Sequence, residues 1–143
     1  MKKLSKMKGM LVIVSLVMMS FTGGKEIPAA IRKSFVKLFP SAHDVKWDGD
    51  PRTHYEAGFV QDGKDNIAVF LPDGTFKEIE TEIKTAEIPK RVIKAVSKKY
   101  PLSKISFALK IQRSNNTTVY DLEVNTGIEE IDITLDAMGF EVD

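Results

Sequence analysis

The sequence predicts an α+β protein built as a tandem repeat. Each unit is one helix plus about four antiparallel strands, and both helices are packed on one face of the sheet. Three observations predict it. The segment "IPAAIRKSFVKLFP" from Ile27 is echoed 61 residues later by "IPKRVIKAVSKKYP" from Ile88, with Ile-Pro in front and aromatic-Pro behind both times. After each segment the apolar period falls from about 3.6 to 2, the change from one face of a helix to alternate sides of a pleated strand. Tyr55 to Gly74 spans 19 residues, as does Tyr120 to Gly139, so the halves keep a common spacing. The two repeats run over 27–87 and 88–143 and together make a single domain over 25–143.

The chain opens with Lys2, Lys3, Lys6 and Lys8, followed by residues 9–22, which carry no charge. A basic start and an apolar run of about a dozen residues, well short of the roughly 20 that span a bilayer, predict a secretory signal peptide over 1–24. Cleavage falls between Thr22 and Lys25, with Thr22 and Gly24 as the small residues before a cut at Lys25. The competing assignment is an uncleaved anchor or a buried helix. Export implies a periplasmic protein with no integral membrane segment in the mature chain.

The first helix is expected over 28–39, with Ile27, Ala30, Ile31, Ser34, Phe35, Leu38 and Phe39 on one stripe. Pro28 suits the first turn, where its missing N–H has no partner to lose, and Pro40 ends the element by excluding Phe39 from helical dihedrals. The second helix, 89–100, repeats this with Pro89, Val92, Ala95, Val96, Tyr100 and Pro101. Strands follow from alternation: Val45 and Trp47; Tyr55, Ala57 and Phe59; Ile67, Val69 and Leu71; then Ile105, Phe107, Leu109 and Ile111; Tyr120, Leu122 and Val124; Ile131, Ile133 and Leu135. Short final strands are expected near Phe76 and Phe140. The turns between are written in Gly, Asp and Asn, including "DGDP" at Asp48, "PDG" at Pro72 and "DAMG" at Asp136. A unit of about 60 residues is marginal alone, so the two should merge, leaving the sheet face away from the helices open.

Composition excludes several function classes. There is no cysteine among the 143 residues, hence no disulfide, thiolate ligand or lipidated cysteine. Removing residues 1–24 leaves 17 basic against 20 acidic residues, which disfavours nucleic-acid binding. The two histidines, His43 and His54, sit at turns or strand ends, and no nucleophile elbow, zinc-protease helix or phosphate-binding glycine loop is present. No catalytic residue, metal site or cofactor is therefore assigned, and the protein is expected not to be an enzyme. The acidic turns at Asp48 and Asp62 lack the spacing and closing Glu of a calcium loop.

Two candidate surfaces remain. The helical spans carry Arg32, Lys33, Lys37, Lys90, Arg91, Lys94, Lys98 and Lys99 with no acidic residue, while the rest of the mature chain has 9 basic against 20 acidic. Such a basic helix face is either simply solvated or docks an anionic envelope surface. Trp47, Phe70 and Val119 are the candidate partner-binding residues. Phe70 and Val119 fall out of phase with Val69 and Tyr120, which would aim them at the open face; aromatics such as Trp47 also commonly pack in the core.

With its exported start, the doubled Ile-Pro-helix-aromatic-Pro, "DVKWDGD" around Trp47, "YEAGF" at Tyr55 and "PDGTF" at Pro72, the chain resembles the PepSY-like proteins, also described as β-lactamase-inhibitor-like, of the periplasm of Bacteroides-type bacteria. That resemblance covers nearly all of the mature chain. It implies helix-plus-antiparallel-sheet units and a binding or inhibitory role, since the inhibitors of that kind grip enzymes with a concave sheet. The expected function is thus a non-enzymatic exported binding module, inhibitory or regulatory toward a periplasmic protein or peptide, acting through the open sheet face. The alternative is an envelope-associated structural or small-ligand-binding protein that uses the basic helices.

Overall fold

Pro28 and Pro89 set where the two helices begin. In the computed structural model, which describes residues 26–142, α1 spans Ala29–Leu38 and α2 spans Lys90–Lys99, each with its proline as the flanking N-terminal residue. Each ends the same way. The N–H of Phe39 donates to the Phe35 carbonyl at 2.8 Å and that of Tyr100 to the Val96 carbonyl at 2.7 Å, after which Pro40 and Pro101 cannot continue the ladder. The signal peptide expected over 1–24 lies outside the described residues.

Seven strands form one antiparallel sheet in chain order: β1 (His43–Asp50), β2 (His54–Gln61), β3 (Lys64–Phe70), β4 (Phe76–Glu82), β5 (Lys104–Arg113), β6 (Thr118–Asn125) and β7 (Glu130–Asp136). This corrects the expected tandem repeat of one helix plus four strands. Four strands follow α1 but only three follow α2, and the strand expected near Phe140 is a single bridge between Leu135 and Glu141. At that point Asp136 Oδ1 accepts the N–H groups of Met138 and Phe140, turning the chain tightly before it can extend along β7. The expected merger of the two units into one sheet is present. β4 and β5 pair from Glu78↔Arg113 to Glu82↔Leu109, so the edges that separate units would leave exposed are joined in the middle of one sheet.

Both helices lie on the same side of the sheet. Under α1, Ile31 and Phe35 meet Tyr55, Ala57 and Phe59 of β2 and Ala68 and Phe70 of β3. The filling is aromatic: the Phe35 ring stands 5.2 Å from Trp47, 5.1 Å from Phe59 and 6.4 Å from Phe70, each edge-on, the arrangement that opposed ring quadrupoles favour. Under α2 the filling is mainly aliphatic, with Tyr120 inside and Tyr100 at its margin, and Val92 and Val96 are packed on Ala108, Leu122, Val124, Ile133 and Leu135. Each helix rests against a glycine at a turn. A Cβ on Gly74 would stand 3.1 Å from the Ala30 carbonyl carbon, and one on Gly139 only 2.9 Å from the Arg91 carbonyl oxygen; both glycines have positive φ.

Two strands present the opposite phase from the one their alternation predicts. In β3 the residues facing the helices are Ala68 and Phe70, which lie opposite Ala57 and Tyr55, so Ile67 and Val69 point away. Residues 67–71 are apolar at every position, and the partner strand, not the alternation, chooses the side. In β5 a bulge between Ile105 and Phe107 leaves Ile105 with the α2 core and turns Phe107, Leu109 and Ile111 to the other face.

Candidate functional site

The sheet face turned away from the helices is the candidate site, and β4 lies at its centre. The stretch "FKEIETE" from Phe76 alternates, so Ile79 and Thr81 sit opposite Ala68 and Asn66 on the helix side, while Glu78, Glu80 and Glu82 project to the other. The registers of successive strand pairs place one row across the whole sheet on this face: Lys46, Gly58, Ile67, Glu80, Ile111, Val119 and Asp136. Glu80 is therefore flanked directly by Ile67 and Ile111.

Beside it lies an apolar strip of Leu109, Ile111 and Val119, extended by Phe107 and by Val142, whose N–H donates to the Thr134 carbonyl at 3.0 Å. The turn that ends β7 thus lays one of the chain's own residues at the margin of the strip. Carboxylates surround it: Glu56 on β2, Glu78 and Glu82 on β4, Asp121 and Glu123 on β6 and Asp132 on β7, placed on this face by the same registers. Several have partners. Glu78 meets Arg113 at 3.4 Å, Glu56 meets His54 at 3.1 Å, and Asp121 accepts a hydrogen bond from the Thr134 hydroxyl at 2.8 Å.

Glu80 differs from them. It is only 5% exposed, and its Oε2 has no hydrogen-bond partner among the described residues. Burial pushes its carboxyl up to about 7, and the charges of Glu78, Glu56 and Asp121 push the same way, because each disfavours a further negative charge. Asp132 is also raised, by burial and by Glu123 across the strand pair. Among the described residues no three His, Asp or Glu side chains converge as metal ligands. A buried carboxyl on an apolar floor can hold a hydrogen-bond donor or a cation, and that is the chemistry the arrangement offers.

The sequence-selected residues fall in three places. Trp47 is half-buried opposite Ala57 on the helix side, 6.3 Å ring to ring from Phe70. Phe70 is fully enclosed at 0% exposure beneath α1, so the open-face position expected for it is corrected: Tyr55 opposite it fixes its side. Val119 does lie on the open face, 4% exposed within the strip. Arg32, Lys33, Lys37, Lys90, Arg91, Lys94 and Lys98 are all exposed on the helix layer. Lys99 pairs with Glu141, and an Arg91 guanidinium nitrogen lies 2.8 Å from Met138 Sδ. Phase reasoning assigned Leu109 and Ile111 to the strands without giving them this face, and it passed over Glu80. The signal that finds Glu80 is Glu-x-Glu-x-Glu on a strand whose other phase is apolar.

The family described as "Putative beta-lactamase-inhibitor-like, PepSY-like" matches residues 53–140. Several solved structures share the fold. One is of "putative periplasmic proteins" from Bacteroides eggerthii, at 20% identity over 82% of this chain and 87% of that one, with a TM-score of 0.74. Another is a BLIP-like protein from Bacteroides fragilis, at 22% identity over 85% of this chain and 87% of that one, with a TM-score of 0.73. No curated protein matches. No helix among the described residues is long and apolar enough to cross a membrane.

Proposed function

The chain belongs to the PepSY-like, β-lactamase-inhibitor-like family, and from that membership we propose that it is a non-enzymatic exported binding module whose open sheet face engages a basic protein or peptide of the periplasm, as an inhibitor or regulator of that partner. The observation that carries this is the strip of Leu109, Ile111 and Val119, ringed by carboxylates on a face that neither helix covers. The strip is already largely enclosed by its own neighbours, so what this face offers is its carboxylate rim, a single sign of charge that selects a partner of the other. The likeness to a BLIP-like protein supports a protein as occupant.

The exposure of every cation on α1 and α2 favours a second reading, docking of an anionic envelope surface by the helix layer. One experiment separates the two. Partners cross-linked to the full chain in periplasmic extract are compared between wild type, Ile111→Lys, and Lys94→Glu with Lys98→Glu. Loss of a partner in Ile111→Lys alone supports the sheet face. Loss in the helix variant alone, with affinity collapsing as salt rises, replaces it with the helix face.

A further inference from the structure

We propose that Glu80 is the anchor of this face, a carboxylate enclosed between Ile67 and Ile111 to receive an arginine or lysine side chain of the partner. The inference rests on the sheet-face function and names what that face recognises. Folding encloses this carboxyl and gives its Oε2 no donor among the described residues, although a buried carboxylate without one is costly. The neighbouring carboxylates cannot serve, since they accept and do not donate once ionised.

The cations of this face are either engaged elsewhere or too far along the sheet to reach Glu80. On β5, Arg113 lies opposite Glu78 and pairs with it, while Lys104 sits at the far end of that strand opposite Asn125 and Lys46 lies three strands away on β1. A guanidinium or ammonium entering from solvent would meet Glu80 with Glu78, Glu56 and Asp121 close enough to add attraction, while its aliphatic stem lay along Ile67 and Ile111. A neutral donor would gain little from those three charges. A carboxylate or phosphate would be repelled by all four.

The probe is the peptide acetyl-Leu-Arg-Leu-amide, with a counterpart carrying citrulline in place of arginine, the same shape without the charge. Each is titrated into the isotope-labelled full chain while the backbone amide signals of residues 67, 80 and 111 are followed. The arginine peptide should move these signals at least about tenfold more tightly than the citrulline peptide, and Glu80→Gln should erase the preference while Glu129→Gln, an exposed position in the turn between β6 and β7, keeps it. Because Glu80 titrates near 7, affinity for the arginine peptide should rise about tenfold from pH 6 to pH 8, the change in its ionised fraction, and Glu80→Gln should flatten that profile.

Equal binding of both peptides at these residues would overturn the anchor and leave the sheet-face function standing. Arginine preference that survives Glu80→Gln would move the anchor to another carboxylate. If neither peptide moved any open-face amide, both the anchor and the function it rests on would fall. The amide spectrum of Glu80→Gln itself reports whether that variant is folded; were it not, the pH profile of the wild type decides, a flat profile sinking the anchor.

Discussion

The two faces of the sheet are made of the same strands and serve opposite ends. On the covered face, residues such as Phe59, Phe70, Leu122 and Val124 are enclosed by a helix and by one another, with no ionisable group among the buried core residues except Tyr55 and Tyr120. On the open face, Leu109, Ile111 and Val119 share their layer with carboxylates, one of them buried. Burial of apolar surface is favourable wherever it occurs, whereas burial of a carboxyl at neutral pH is not. The difference teaches that stability is concentrated under the helices, while the open face carries a cost retained for some other purpose.

Four measurements break or sharpen that contrast. The largest effect is expected from Phe35→Ala, which removes the ring shared by Phe39, Trp47, Phe59 and Phe70. It should cost about 3–5 kcal/mol in denaturant titration, and a loss below about 1 kcal/mol would mean the aromatic layer is not the stabilising one.

Next is the pH dependence of the open face. Glu80 titrates at about 7 in the folded chain against an ordinary value of 4.5, so the folded state holds its proton over a window where the unfolded state has released it. Stability should therefore be highest below pH 4.5 as far as this group is concerned and fall as pH rises to 7, by on the order of 3 kcal/mol. Glu80→Gln should remove that part of the slope, and identical slopes in the two proteins would show that the carboxyl costs nothing.

Gly139→Ala should come third. Its φ of +89° and the 2.9 Å approach to Arg91 leave no room for a methyl group, so a loss of roughly 1–3 kcal/mol is expected, read by thermal unfolding. A neutral outcome would mean that α2 can shift away from its turn. Smallest is Arg113→Gln, which breaks the open-face pair with Glu78 and should change stability by less than about 1 kcal/mol, since the pair is partly exposed and its long side chains lose freedom to form it. A larger loss would show that this face stabilises the fold through its charges after all.

Much of the fold was legible because its signals are local. Pro28 and Pro89, with Phe39-Pro40 and Tyr100-Pro101, fix helix ends through dihedral limits and a missing donor, and no distant residue can overrule those. Asp-Gly and Pro-Asp-Gly turns act the same way. The alternation of Tyr55, Ala57 and Phe59, with Gly58 and Glu56 between, leaves one apolar phase and so selects its face unaided. The candidate site was less legible. Its apolar strip comes from a strand whose phase is changed by a bulge, and its centre is a glutamate whose significance depends on neighbours supplied by β2, β3, β5 and β6.

The sequence alone therefore determined the helices, most of the strands and the layer charge, all of them consequences of spacing within short windows. Tertiary structure decided that one seven-stranded sheet, with three strands after α2, replaces two four-stranded units, that Phe70 belongs inside and Ile111 outside, and that Glu80 is enclosed. Where residues 67–71 are apolar on both phases, or a bulge between Ile105 and Phe107 advances a strand by one residue, the face is fixed only when a partner strand pairs. Burial of a single carboxyl likewise exists only once residues far apart in the chain are brought side by side.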